Sequence, residues 1–250
     1  MTETGPAVVR VAMWSGPRNI STAMMRAWSS RHDTVVTDEP LYSYYLRKTG
    51  LDHPGRDEII AAYDSDWQHV IQTLTGPPPE PKPIWFQKHM TQHLLPEISR
   101  EWIAQMRNCF LIREPRDVLA SYSSVRSRPT LDDLGLPQQV EIFEHVRRVT
   151  GSIPPIMDAR DVLLNPRGIL QQLCERLGIP FTGLMLSWAP GRRKSDGIWA
   201  EYWYRTAENS TGFIPYKPRT RPLSPQLEEL AAECDPYYRA LAEFRLQPVS

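Results

Sequence analysis

Two segments of the chain place anion-holding residues at the junction between an apolar run and a helix. The first is Trp14-Ser-Gly-Pro-Arg-Asn-Ile-Ser-Thr22, which follows VVRVAMW (Val8–Trp14) and opens STAMMRAWSS (Ser21–Ser30). Free backbone N–H groups at a helix start, the hydroxyls of Ser21 and Thr22, and the Arg18 guanidinium suit a phosphate or sulfate, with Gly16 and Asn19 in the same loop. It is not a Walker A loop, because Ile20 and Ser21 stand where that motif needs glycine and lysine. Alone, the segment reads equally well as a capped helix with an exposed arginine.

The second segment is Leu111-Ile-Arg-Glu-Pro-Arg-Asp-Val-Leu-Ala-Ser-Tyr122, again apolar run, turn and helix, with Pro115 fit for the first helical turn. Arg113 stands where the strand ends, and Ser121 lies on the helix 121 − 113 = 8 residues later. A guanidinium forks onto a phosphate while a helix-borne hydroxyl donates to it. The bland alternative is a surface arginine and a packing serine.

The elements that must hold these segments alternate in type. Thr34–Asp38, Pro83–Lys88 and Asn108–Ile112 read as further strands, with helices around Glu97–Met106 and from Pro115. Strand–helix alternation is the pattern of an α/β fold with a central parallel sheet flanked by helices. The C-terminal half reads as mostly helical. Asn165–Pro166 starts a helix whose apolar stripe (Ile169, Leu170, Leu173, Cys174, Leu177) ends at Gly178, and Ser224–Pro225 and Asp235–Pro236 signal two short helices. No internal repeat or linker divides residues 1–250, so a single domain is expected.

Composition narrows the function classes. The 29 basic and 29 acidic side chains cancel, which disfavours a nucleic-acid binder but not a local basic pocket. Hydrophobic residues at 41% provide a full core. No apolar run reaches the ~20 residues of a membrane helix. Nothing at the N-terminus reads as a secretory signal, and three widely spaced cysteines (Cys109, Cys174, Cys234) fit reduced thiols, so a cytoplasmic protein is expected.

Together, SGPRNIST and REPRDVLASY resemble the phosphate-binding segments of the sulfotransferases that use 3′-phosphoadenosine 5′-phosphosulfate (PAPS), in the same order and context. Ala159–Phe181 is similar to a further helix of that family. Gly191–Trp199, with Asn209 and Phe213 beyond, is similar to its nucleotide-closing loop. The resemblance runs from about Val8 to Phe213 and implies a P-loop sulfotransferase-like fold with PAPS as co-substrate and no metal requirement. It also implies a 5′-phosphosulfate site on the first loop and a 3′-phosphate site at Arg113 and Ser121, closed by Arg193 and Lys194. Ile20 departs from the pattern: many relatives have glycine there, so the loop's φ > 0 position is absent or shifted.

Sulfuryl transfer needs positioning, charge stabilisation on the transferred group and leaving oxygen, and a base for the acceptor. Arg18 and the loop supply charge stabilisation, and Lys88 matches a lysine that relatives place near the leaving oxygen. For the base, Glu39 in TVVTDEPLY and His89 beside Lys88 compete, and the register favours Glu39. His89 reads equally as a structural imidazole, Asp38-Glu39-Pro40 as a turn, and His93 as a surface residue. Three adjacent cations at Arg192–Lys194 also read as a solvated run.

The aromatics Tyr42, Tyr44, Tyr45, Trp199, Tyr202, Trp203 and Tyr204 line either a pocket for a small aromatic or amphipathic acceptor or, preferably, the core. Two other functions stay open. One is a nucleotide kinase or hydrolase, with VVTDE as a metal-binding strand. The other is a non-catalytic nucleotide-binding module.

Overall fold

The computed structural model describes residues 8–122, 129–218 and 222–248. Five strands, β1 (Val9–Ser15), β2 (Thr34–Asp38), β3 (Ile84–Met90), β4 (Arg107–Ile112) and β5 (Ile156–Asp158), form one sheet of order β2-β3-β1-β4-β5. Every pairing is parallel. Parallel strands need crossovers, and these run through helices on both faces.

The period of two along a strand sorts side chains between two cores. Val11 and Met13 of β1 and Ile84 and Phe86 of β3 face one core, which α1 (Ser21–Ser29) fills with Met24, Met25 and Trp28. Ala12, Trp14 and Trp85 face the other, together with Ile142, Phe143 and Val146 of the Leu136–Thr150 helix. The consequence at the strand ends is chemical. Lys88 has the parity of Phe86 and Asp38 that of Val36, and Asp38 is the register partner of Lys88. Both therefore emerge on the α1 face.

Chain order changes direction across β1, with β3 on one side and β4 on the other. In open α/β sheets the crevice beyond the carboxyl ends of the strands at such a point holds ligands. Here Ser15, Asp38, Met90 and Ile112 end their strands at that edge.

Three boundaries differ from the sequence expectation. Glu97–Met106 contains only a 3-10 turn at Glu101–Gln105, because Trp102, Ile103 and Met106 tuck into the core from an irregular segment. The C-terminal pair is one helix, Pro225–Ala242, with Pro236 inside it. β5 was not foreseen; three residues carry too little periodicity to be read. Among the described residues, no helix is long and apolar enough to cross a membrane.

Candidate active site

A cavity of about 390 Å³ opens at the carboxyl edge of the sheet. Of the expected residues, Arg18, Asn19, Ser21, Thr22, Glu39, Lys88, Arg113 and Ser121 all line it. They come from the loop after β1, the end of β2, the end of β3, and the β4 turn and its helix Pro115–Tyr122.

The loop after β1 is shaped from both sides. Asn19 Nδ2 donates to the Leu111 carbonyl (2.9 Å), its Oδ1 accepts from the Ile20 N–H (3.0 Å), and Arg113 donates to the Arg18 carbonyl (3.1 Å). Helix α1 has no side-chain cap, and Met24 is the first residue to donate to the Ile20 carbonyl. The N–H groups of the first turn are thus left at the helix end that meets the cavity. The left-handed position of the loop exists, shifted to Arg18 (φ 53°), while Ile20 has an ordinary φ of −78°. A non-glycine residue held there stores strain of a kind that collects at functional sites. Gly16 does not line the cavity. A Cβ there would stand 2.7 Å from the Leu134 carbonyl oxygen, so this glycine permits a close backbone approach.

Arg18 Nε donates to Ser121 Oγ at 3.1 Å, joining the two anion-holding segments. Arg113 also approaches Asp117 at 3.4 Å. Two guanidiniums, the start of α1 and three hydroxyls therefore converge on one cavity, which suits a ligand with more than one anionic group.

The opposite wall is an ionic cluster. Lys88 Nζ donates to Asp38 Oδ1 (2.8 Å), to Glu39 Oε1 (2.7 Å) and to the Tyr204 hydroxyl. The lysine side chain is 1% exposed and that of Glu39 11%. Glu39 holds a positive φ of 39°, and its N–H donates to the Lys88 carbonyl (3.0 Å), which turns its carboxylate off the end of β2. Burial pushes the Glu39 carboxyl above its ordinary value; Lys88 opposes this and Asp38 adds to it. Burial would lower the Lys88 pKa, but Asp38 and Glu39 outweigh it and raise it, so the ammonium stays charged.

His89 is not in this cavity. With the parity opposite to Lys88, it stacks on Trp14 (centroids 4.6 Å apart) on the other face of the sheet, and burial lowers its pKa to about 3. Its Nε2 lies 3.2 Å from Gln87 Oε1, the arrangement of a structural imidazole. His93, expected at the surface, is buried, lines the cavity and stacks between Tyr42 and Tyr45 at 4.6 Å from each.

Arg193 and Lys194 do not reach the cavity either. Arg193 donates to the Ala189 carbonyl (2.8 Å), and its loop is anchored by Asp196, whose carboxylate accepts from both terminal guanidinium nitrogens of buried Arg26 at 2.6 Å. The cation nearest the sequence end that lines the cavity is Lys217. Of the aromatics, Tyr42, Trp203 and Tyr204 line it, while Tyr45 and Trp199 are core residues. Asp38 was not foreseen as part of the site, and Tyr204 was foreseen only as one aromatic of the less favoured pocket reading, not as a partner of Lys88. Strand parity and parallel register would have paired Asp38 with Lys88, whereas nothing local marks Tyr204.

The sheet order, the crevice and the two converging segments define a parallel α/β fold whose cavity at the switch point suits an anionic ligand. The sequence profile of the sulfotransferase domain matches residues 9–244, and the chain belongs to that family. Two Arabidopsis thaliana proteins named branched-chain-amino-acid aminotransferase-like protein 2 and protein 1 are 35% and 36% identical over 230 and 213 residues, 91% and 84% of this chain. The chain spans 40% and 38% of the length of these relatives.

Solved structures share the fold. The sulfotransferase domain of the curacin biosynthetic pathway has a TM-score of 0.51 at 14% identity, covering 92% of this chain and 99% of that one. That of the Synechococcus olefin synthase has 0.53 at 13%, covering 93% and 97%. A sulfotransferase from Alicyclobacillus acidocaldarius has 0.53 at 13%, covering 94% and 96%.

Proposed function

We propose that this chain transfers a sulfuryl group from PAPS to a hydroxyl or amine of a small acceptor, with Glu39 as the general base. The observation that carries this reading is one cavity holding both the Arg18–Arg113–Ser121 anion wall and the Glu39–Lys88 pair. The donor site fits two separate anionic groups. The first turn of α1, with Ser21, Thr22 and Arg18, receives the phosphosulfate end, and Arg113 and Ser121 receive the 3′-phosphate.

When bound, PAPS supplies the sulfuryl group and a phosphate leaving oxygen. Arg18 and the α1 N–H groups hold the negative charge of that end, and the charged Lys88 faces it from the opposite wall. Glu39, partly open to the cavity, accepts the acceptor's proton at a carboxylate oxygen. Asp38 remains the counter-ion of Lys88 throughout, so protonating Glu39 leaves the ammonium paired. Tyr42, His53 and Trp203 wall the acceptor end and suit an aromatic or amphipathic molecule. The domain is read as acting in the cytoplasm.

The reading is tested by following PAP (3′-phosphoadenosine 5′-phosphate) formation from PAPS with a panel of aryl and alkyl alcohols and amines. Acceptor-dependent PAP formation that persists in EDTA supports it. ATP hydrolysis or phosphoryl transfer in place of PAP formation would replace it with the kinase reading.

A further inference from the structure

Tyr204 belongs to none of the segments that resemble the family, yet it occupies the centre of the ionic cluster. Its hydroxyl receives Nζ of Lys88 and the Trp199 indole N–H (3.1 Å). Two donors fill both lone pairs of a phenol, so its single proton must go to a carboxylate. Asp38 is the nearest, with oxygens at 2.9 and 2.8 Å, and Glu39 Oε1 lies at 3.2 Å. The same inventory for Lys88 is also closed. Its three protons are committed to Asp38, Glu39 and Tyr204. The Lys88 ammonium also sits 4.6 Å from the Tyr204 ring centroid.

The tyrosine is held independently of these charges. It ends the short Ala200–Trp203 helix, whose N–H-to-carbonyl bond from Tyr204 to Ala200 is 2.9 Å. Just upstream, the Gly197 N–H donates to Asp38 Oδ2 (3.2 Å), and Asp196 is locked to Arg26. One C-terminal segment therefore reaches both carboxylates at the end of β2.

We propose that Tyr204 is a positioning residue, fixing the Lys88 ammonium and the Glu39 carboxylate in the geometry that sulfuryl transfer uses. This rests on the reading of Glu39 as the base. Without the hydroxyl, Lys88 has one uncommitted proton, and the Asp38–Glu39 carboxylate pair loses the one phenol proton within reach of both. The charged and titratable groups around Glu39 include Asp38 from β2, Lys88 from β3, Tyr42 from α2 (Tyr42–Thr49) and Tyr204 itself, with Arg18, His53 and His93 lining the same cavity. The first three are unchanged in Tyr204→Phe, which also keeps the ring against Lys88.

The experiment compares wild type, Tyr204→Phe and Glu39→Gln by two readouts. One is the pH profile of PAPS turnover; the other is an infrared titration of the Glu39 carboxyl, assigned by its disappearance in Glu39→Gln. For Tyr204→Phe, kcat falls about 10- to 100-fold, PAP affinity stays within twofold, and the Glu39 titration and the acid limb both move to higher pH. A Glu39 titration at its wild-type position in Tyr204→Phe would overturn the proposal whatever the rate does. An unchanged kcat in Tyr204→Phe beside a slow Glu39→Gln would also overturn it while leaving Glu39 as the base. Normal turnover by Glu39→Gln would instead remove the base assignment, and the infrared shift would still decide whether Tyr204 sets that carboxyl.

Discussion

Asp38 and Lys88 are register partners on adjacent parallel strands, and their side chains meet at 2.8 Å on the cavity side of the sheet. A one-residue slip of β3 against β2 would send Lys88 to the opposite face and bring His89 to the cavity instead. Sheet register therefore decides which side chain faces Glu39.

Glu39→Gln keeps the shape of the side chain but cannot take a proton. Turnover should drop about 10²–10⁴-fold while PAP affinity and melting temperature change little. As a general base Glu39 would work only when ionised, and burial raises its pKa, so the acid limb of kcat/KM should lie above the ordinary glutamate value of 4.5. A pH–rate profile checks this, and a limb at or below 4.5 would contradict the assignment.

His89 serves the other face of the sheet. Its folded pKa, about 3, lies below the ordinary 6.5, so the unfolded chain binds the proton first as pH falls. The stability from burying it neutral is complete above about pH 6.5 and is lost progressively toward pH 3. His93 contributes with the same sign. Urea unfolding of His89→Gln from pH 7 to 4 should show a shallower loss of stability, with turnover per folded molecule within about twofold of wild type. An unchanged slope, or a dead but folded variant, would count against this.

Arg18 sits at φ 53° with its guanidinium donating to Ser121 Oγ. Arg18→Gly relieves a left-handed residue that costs about 1–2 kcal/mol, against roughly 0.5–1 kcal/mol of added chain freedom. Thermal unfolding should show stability unchanged or raised, while PAP affinity falls at least about tenfold. A clear drop in melting temperature would mean that the loop depends on the arginine for folding.

If a cation closes over the 3′-phosphate, Lys217 is in place for it, since of Arg193, Lys194 and Lys217 only Lys217 lines the cavity. Lys217→Ala should weaken PAP binding and flatten its dependence on ionic strength, whereas Arg193→Ala should leave both as in wild type. Calorimetric titrations at low and high salt decide it, and the reverse ranking would restore the Gly191–Trp199 loop to the site.

How much of this was legible in the sequence follows from the range over which each residue is determined. The anion segments are local: Trp14–Thr22 and Leu111–Tyr122 carry strand, turn and helix signals within a dozen residues, and both fold as read. The resemblance named Lys88 and Glu39 as candidates for one site, but their ion pair depends on strand parity across the sheet, which was not read from the sequence. His93 was misread because one helical turn beyond a strand says nothing about the tyrosines that cover it. The place of the Arg193–Lys194 loop outside the cavity lining could not be read locally, because its cations are local but its anchors are not. Asp196 reaches Arg26, and Tyr204 reaches Asp38, across 170 and 166 residues.

The most direct test of the account is metal-free binding of PAP against 5′-AMP and ATP, measured by calorimetry on the wild-type protein and on Arg113→Ala. The two nucleotides PAP and 5′-AMP differ only in the 3′-phosphate assigned to Arg113 and Ser121. In EDTA, PAP should bind wild type about 30- to 150-fold tighter than 5′-AMP, corresponding to about 2–3 kcal/mol for a charge-assisted contact, and Arg113→Ala should erase most of that gap. Equal affinity of the wild-type protein for PAP and 5′-AMP, or tight binding only of ATP with Mg²⁺, would contradict it.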